Sequence, residues 1–284
     1  MLRGLIRLIR PKHWIKNGLV AVPLLFSGQL LSGHQLRSVA GALVVFSFVA
    51  SVVYVINDIR DAEKDKLHPT KRNRPVASGV VSIQAALILI FTLMVAAVTV
   101  GILIRLPIFA WVLLAVYMII NIAYSFGLKD IPIVDISILA AGFVIRVIFG
   151  GVTTGIEVSS WLYMTVIAGS LYLSLGKRRN EIRLHGTENR TVNKYYSIGF
   201  LDKNMYVSMS LLVVFYSLWA TDPSRGNALL YLSIPMLILI FITYSFVIES
   251  DSSSGDPVDV LTKNKALLIL VALFLILTTV TVYV

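Results

Sequence analysis

Cysteine is absent from this 284-residue chain and charge is scarce, with 14% of residues Asp, Glu, Lys or Arg against about 25% in an ordinary soluble domain. The missing thiols exclude disulfides, thiolate metal sites and thiol nucleophiles. Histidine is nearly as sparse: His13, His34, His68 and His185 are scattered, and no Ser/His/Asp arrangement indicates covalent catalysis. The first residues contain no unbroken apolar core before a small-residue cleavage site, so they read as mature protein and not as a signal peptide. No linker, low-complexity tract or internal repeat interrupts the chain, and a single domain over residues 1–284 is expected.

What the sequence has in abundance is apolar surface, 57% of residues, and a water-soluble fold is not expected. A membrane helix needs about 20 predominantly apolar residues. Nine stretches meet that need, at residues 17–34, 36–57, 80–104, 107–127, 132–155, 158–176, 204–220, 228–249 and 265–284. The expected architecture is an all-α polytopic bundle of nine transmembrane helices. Pro107 and Pro132 sit where helix starts tolerate them, whereas Pro23 and Pro235 lie inside spans and are expected to kink them.

Basic residues outnumber acidic ones 25 to 15, an excess that suits nucleic acid, anionic lipid or an anionic substrate. Their placement decides between these. If the N-terminus is cytoplasmic, 21 of the 25 Lys and Arg fall in connections on one side of the membrane. Arg37, Arg105 and Arg225 fall on the other, and Arg146 lies inside the fifth stretch. This asymmetry predicts a multi-pass protein of the cell (inner or plasma) membrane with its N-terminus inside. The two large connections, 58–79 and 177–203, then face the cytoplasm. Because the basic residues follow topology, membrane lipids and substrate are the expected partners and nucleic acid is not. Self-association into a homo-oligomer is compatible with such a bundle. Residues 1–16 place Arg3, Arg7 and Arg10 at helical spacing opposite Leu2, Leu5, Ile6 and Ile9, and read as a short interfacial helix.

The second stretch runs into Asn57-Asp58-Ile59-Arg60-Asp61-Ala62-Glu63-Lys64-Asp65. On a continuing helix Asn57, Asp61 and Asp65 share one face, with Asp58 beside them. Carboxylates this close repel unless a cation compensates them. Amide and carboxylate oxygens without His or Cys suit Mg²⁺, which also keeps places for water and phosphate oxygens. A solvated helix end is the plainer reading of a charge run. Against it stands His68-Pro69-Thr70-Lys71-Arg72-Asn73-Arg74-Pro75, which sets Lys71, Arg72 and Arg74 next to the carboxylates as phosphate donors. Together the two segments describe a metal–diphosphate site at the cytoplasmic surface.

The NDxxDxxxD pattern at the end of the second of nine helices, followed by an RP-containing basic stretch, resembles the UbiA superfamily of intramembrane prenyltransferases. The resemblance implies that Asn57, Asp58, Asp61 and Asp65 hold Mg²⁺ on a substrate diphosphate, the three aspartates acting in catalysis. Members that prenylate an aromatic acceptor carry a second aspartate-rich motif after the sixth helix. Here Gly176-Lys177-Arg178-Arg179-Asn180-Glu181-Ile182-Arg183 stands instead, and it is basic. That departure is similar to the decaprenyl-phosphate phosphoribosyltransferase branch, as are RPKHWIKN at Arg10 to Asn17, the run from Val53 to Pro75, YSFGLK at Tyr124 to Lys129, and the VDI and IR of Asp135 and Arg146. By that resemblance the donor is 5-phosphoribosyl diphosphate, the acceptor a polyprenyl phosphate, and Lys177, Arg178 and Glu181 belong to a second substrate-binding segment. A phosphate monoester is already ionised at neutral pH and needs no general base to attack an anomeric carbon.

Further candidates for substrate binding are Lys16, Tyr54, Tyr124, Lys129, Asp135 and Arg146. Tyr54 precedes Asn57 by one helical turn, and Tyr124 and Lys129 close the fourth stretch in the same layer. Arg146 sits mid-span, where a charge costs about 2.5–3.5 kcal/mol and requires a partner. Asp135 lies about three turns away, and both a structural ion pair with another helix and a ligand role are open to each. Two rival functions follow from the same residues. A prenyltransferase acting on an aromatic or lipidic acceptor keeps Asn57 to Asp65 but leaves Lys177 to Arg183 unexplained. A transporter would distribute ionisable residues through the midplane, whereas here Arg146 and Asp135 are nearly alone within the spans and the polar clusters fall on the cytoplasmic side.

Overall fold

A computed structural model describes residues 1–67, 71–187, 190–223, 228–250 and 256–283. His68, Pro69 and Thr70 of the basic motif lie outside the described residues. The described residues are helical throughout and contain no strand. The chain opens with α1 (Leu2–Ile9), a 3₁₀ segment (Pro11–Ala21) and the single turn α2 (Val22–Leu25), then α3 (Gly33–Arg60) and the short α4 (Ala62–Lys66). Long helices α5 (Ile83–Leu103), α6 (Ile108–Ser125), α7 (Val134–Thr154), α8 (Ser160–His185) and α9 (Ile198–Ala220) follow. The chain closes with α10 (Ser233–Ser250), α11 (Pro257–Lys263) and α12 (Lys265–Tyr283).

Local chemistry sets these boundaries. Ser32, Ser82, Ser159 and Ser197 cap α3, α5, α8 and α9, each side-chain oxygen accepting from a backbone N–H three residues on, a bond worth about 1 kcal/mol. Pro107 stands in extended conformation just ahead of α6. Pro235 falls in the first turn of α10, where its missing N–H costs no intrahelical bond, so the expected kink there is not required.

Seven of the described helices are long and apolar enough to cross a membrane, fewer than the nine regular spans expected. Two of the nine stretches make the difference: 158–176 falls mostly within α8, whose last turns are charged, and 17–34 is not a continuous α-helix. It is the end of the 3₁₀ segment, then α2 with Pro23 in it, then a turn through Gly28 at φ 75°. Proline at position 23 and glycines at 18 and 28 leave no uninterrupted α-helical register. The segment is instead wedged against α7: a Cβ at Gly150 would run into the carbonyl of Val20, so only glycine permits that approach.

α3 is the axis of the bundle. Its most apolar window is 61% buried, against 22% for α5, α6 and α12. The apolar residues left exposed on those outer helices, such as Phe91, Ile102, Phe109 and Ile276, face the hydrocarbon, while Phe46 packs on Tyr117 and Phe149 inside. Of the N-terminal segment, Leu2–Ile9 form the helix α1, with Gly4 and Leu8 buried. Segments assigned to one side by charge counting meet at one end of the bundle: Lys12 pairs with Asp259, Lys16 with Asp256, and Lys129 with Asp61.

Candidate active site

At that polar end two cavities adjoin. The outer cleft has an oxygen wall and a cationic wall. Asn57, Asp61, Asp65 and Asp130 form the first; Lys71, Arg74, Lys129 and Arg190 face them, with Lys64, Tyr124 and Thr191 at the edge. The inner cavity runs on toward the bundle interior. Asn57, Arg74, Tyr124 and Arg190 line both spaces and form the threshold. Beyond it Val53, Ile138, Leu139 and Phe143 supply apolar wall, and Lys16, Lys177, Asp256 and Arg146 supply charge.

The oxygen wall forms because α3 ends at Arg60 but its turn carries on: the Asp65 N–H donates to the Asp61 carbonyl at 2.8 Å, so residues 57, 61 and 65 keep nearly one face. Ser125 Oγ donates to Asn57 Oδ1 at 2.9 Å and fixes the amide. Arg74 Nη1 lies 2.7 Å from Asp65 Oδ2, and Lys129 Nζ 3.5 Å from Asp61. Burial, reinforced by Arg190 and Arg74, pulls the Lys71 pKa down. Among the described residues no three acidic or histidine side chains converge on one point. Mg²⁺ does not need that, since one or two carboxylates plus substrate phosphate oxygens suffice. Asp61, Asp65 and the Asn57 amide, all hard oxygens on one wall opposite four cations, fit it.

Several expected residues stand elsewhere. Asp58 is turned away from the cleft and 2% exposed, with Arg10 at 2.5 Å and Arg74 at 3.3 Å; one position off the 57/61/65 stripe rotates it by about 100°. Arg72 is exposed and lines neither cavity. The turn Lys71–Asn73 is 3₁₀, with three residues per turn, so Lys71 and Arg74 share the inward side and Arg72 does not. The segment 177–203 does not begin as a connection, because α8 continues to His185. Its basic residues therefore fan around a helix instead of forming one patch. Of those on α8, Lys177 lines the inner cavity, whereas Arg178 and Arg179 line neither cavity. Arg178 is 1% exposed and forms ion pairs with Asp135, at 2.6 Å, and with Glu181. Arg179 pairs with Asp202 and Glu249.

Asp135 is fully buried in that network and also accepts from Tyr196 Oη at 2.5 Å. The same hydroxyl accepts from the Ile133 N–H at 2.6 Å, holding Ile133 at φ 67°. Glu181 passes the network outward to Arg190, 3.5 Å away, and Arg190 Nη1 donates to Tyr124 Oη at 3.1 Å. Burial opposes the charge on Arg190, but Glu181 and Tyr124 outweigh it and raise its pKa. Asp135, Arg178 and Glu181 thus position Arg190; they do not themselves face a cavity. Arg146 and Asp135, considered together in the sequence, have separate partners. Arg146 Nε donates to Asn17 Oδ1 at 2.9 Å and Nη2 to Tyr117 Oη at 3.1 Å, and its guanidinium lies over the rings of Phe46 and Tyr117.

Lys16 and Tyr54 line the inner cavity. Sequence reasoning missed Arg10, Arg190, Asp256, Asn17 and Tyr117. Arg10 and Asn17 lay inside the RPKHWIKN stretch and Arg190 inside the basic 177–203 segment, but nothing in the spacing distinguished them from their neighbours. Asp256 gave no signal, since nothing in the spacing set it apart from Glu249, Asp251 and Asp259 in the same stretch.

Residues 20–259 match the model of the UbiA prenyltransferase family. The decaprenyl-phosphate phosphoribosyltransferase of Mycolicibacterium smegmatis is 34% identical over 95% of this chain and 89% of its own length. That of Mycobacterium tuberculosis is 35% identical over 95% and 91%. Among solved structures, a UbiA homolog from Archaeoglobus fulgidus bound to DMAPP and Mg²⁺ superimposes with a TM-score of 0.74 at 19% identity, covering 99% of both chains.

Proposed function

The chain belongs to the UbiA prenyltransferase family, close to its decaprenyl-phosphate phosphoribosyltransferase branch, and from that membership we propose that it transfers 5-phosphoribose from 5-phosphoribosyl diphosphate to a polyprenyl phosphate, releasing diphosphate. The observation that carries this reading is the pairing of two cavities across one threshold: an outer cleft with both oxygen ligands and cations, and an inner cavity that is cationic with one carboxylate. A prenyl donor with an aromatic acceptor would leave the inner cations without a use.

In this reading the donor's diphosphate lies in the outer cleft, with Mg²⁺ held by Asp61, Asp65 and Asn57. When bound, the ion neutralises charge that develops on the leaving diphosphate. Lys71, Arg74 and Lys129 bind its remaining oxygens, and charge-assisted bonds of this kind are the strong ones. Arg190, at the threshold, lies where the anomeric carbon passes between the two phosphates. A lipid phosphate oxygen forms the new bond to that carbon as the bond to diphosphate breaks, and no proton need move. Direct displacement inverts the anomeric configuration. Barrier lowering comes from holding two mutually repelling anions in line and from fixed cations at the leaving group.

The same reading makes the chain a single domain of the plasma membrane, N-terminus inside, with the cleft opening to the cytoplasm where the ribosyl donor is soluble. Purified protein with Mg²⁺, a polyprenyl phosphate and ribose-labelled donor should release diphosphate and yield a labelled lipid. Prenylation of 4-hydroxybenzoate by a prenyl diphosphate, with no diphosphate released from the ribosyl donor, would replace this reading with the prenyltransferase one.

A further inference from the structure

The charges of the inner cavity do not balance. Lys16 Nζ and Lys177 Nζ lie 2.8 and 3.5 Å from the same oxygen, Oδ2 of Asp256. Arg146, 5% exposed on the same cavity, has only neutral acceptors: the Asn17 amide, the Tyr117 hydroxyl and the Gly142 carbonyl. The other cations on this wall are accounted for, Arg10 by Asp58, Arg74 by Asp65 at 2.7 Å, and Arg190 by Glu181. Among the described residues, then, Lys16 and Lys177 share one carboxylate and Arg146 has none, which leaves an excess of two positive charges.

Buried cations in excess are costly unless something compensates them. The three groups are close enough to feel one another. Burial first, then Lys177, with Arg146 contributing, lowers the Lys16 pKa to about 8 despite Asp256. Burial raises the Asp256 carboxyl, but Lys177 and Lys16 outweigh it and hold the group well below the usual carboxylate range. His13, on the same wall, is held neutral by burial and by Lys16, its pKa lowered to about 4, so it adds no charge near neutral pH. Asp256 also caps α11 by accepting from the Val258 N–H at 3.0 Å, which fixes the carboxylate and through it both lysine heads.

We propose that Lys16, Lys177 and Arg146 form a binding site for a phosphate monoester dianion in the inner cavity, with Asp256 as the resident anion that prealigns the two lysines. The inference deepens the phosphoribosyl-transfer reading and rests on it for the identity of the ligand. Two substrates of that reaction carry such a group, the lipid acceptor at its head and the ribosyl donor at C5. A monoester has two negative charges above its second pKa of about 6, equal to the excess in the cavity. A diphosphate has more, and the outer cleft with its metal ligands suits it better. Asn17 and Tyr117 are positioning residues for Arg146; Asn17 Nδ2 is itself anchored on Ser47 Oγ at 2.9 Å.

The test combines binding with kinetics on the full chain in detergent. Farnesyl phosphate and ribose 5-phosphate serve as probes, measured by calorimetry without Mg²⁺, beside steady-state kinetics varying each substrate in turn. Lys16→Gln and Lys177→Ala should each weaken one probe, and raise KM for the matching substrate, by about ten- to a hundredfold, as expected for a lost charge-assisted bond. KM for the other substrate should move less than about threefold. Loss confined to farnesyl phosphate assigns the site to the acceptor; loss confined to ribose 5-phosphate assigns it to the donor. Asp256→Asn separates binding from structure, because it removes the competing anion and keeps the helix cap. It should tighten the same probe, whereas a purely structural ion pair would make it behave like the lysine variants. Unchanged affinity for both probes in Lys16→Gln and Lys177→Ala, or weakened affinity in Asp256→Asn, overturns the inference even if ribosyl transfer is observed. Lysine-dependent probe binding in a protein that never consumes the ribosyl donor would overturn the reaction instead and leave the site standing.

Discussion

Arg178→Ala is the perturbation that most directly tests the division between binding residues and supporting ones. Neighbouring positions 177 and 178 look equivalent in sequence, yet Lys177 lines a cavity and Arg178 is 1% exposed between Asp135 and Glu181. Removing Arg178 strands Asp135, a carboxylate with no exposed surface, and removing one partner of a buried pair costs about 3–5 kcal/mol. At roughly 2 °C per kcal/mol, the low end of the range for long chains, the apparent Tm should fall on the order of 6–10 °C. Unfolding in detergent is scanned at one fixed rate, since irreversibility makes Tm rate-dependent. Arg178→Met combined with Asp135→Asn should recover at least half of the loss, because no charge is then stranded. Lys177→Ala, at the same scan rate, should leave Tm within about 2 °C, because its partner Asp256 keeps Lys16 at 2.8 Å and no charge is stranded. If Arg178→Ala kept the wild-type Tm and raised KM for a phosphorylated substrate, Arg178 would be a ligand and the separation of roles would be wrong.

Other expectations follow from the same geometry. Asp61→Asn and Asp65→Asn should each raise the Mg²⁺ concentration needed for half-maximal turnover at least tenfold or abolish turnover, while Asp58→Asn, which faces Arg10 and not the cleft, should move that midpoint less; equal displacement in all three would return Asp58 to the metal wall. With the Lys16 pKa lowered to about 8, the lysine carries its charge below that value and loses it above. kcat/KM should therefore decline as pH rises through about 8, and in Lys16→Arg the decline should shift upward; a flat profile to pH 9.5 argues against Lys16 contacting substrate. The chain has no cysteine, so single cysteines can report topology without background. Asn73→Cys and Lys263→Cys should react with an impermeant maleimide only from the cytoplasm, and Glu157→Cys only from outside. Reaction of the first two from opposite sides would break the shared polar end on which the site depends.

Much of this protein is determined by its sequence alone. Scarce charge and long apolar runs dictate a helical membrane bundle, because backbone polar groups in lipid must be satisfied within each segment. The lopsided distribution of Lys and Arg gathers residues 1–16, 58–79 and 177–203 at one end, where their ion pairs are found. The stripe Asn57, Asp61 and Asp65 follows from helical periodicity and lines one cleft. Tertiary structure alone decided which of the remaining polar residues face that cleft. Periodicity fixes angles between residues on one helix but not the helix's rotation against its neighbours, so Lys177 and Arg178 could not be told apart until α7 supplied Asp135 as a partner. Nor could the first apolar stretch be recognised as a 3₁₀ wedge, since its shape depends on a glycine in α7 more than a hundred residues away. Asp256, one of four acids in the stretch 249–259, acquired its place from two lysines brought to it by separate elements. Charge balance in a buried cavity is summed over elements distant in sequence, and only the folded chain brings its terms together.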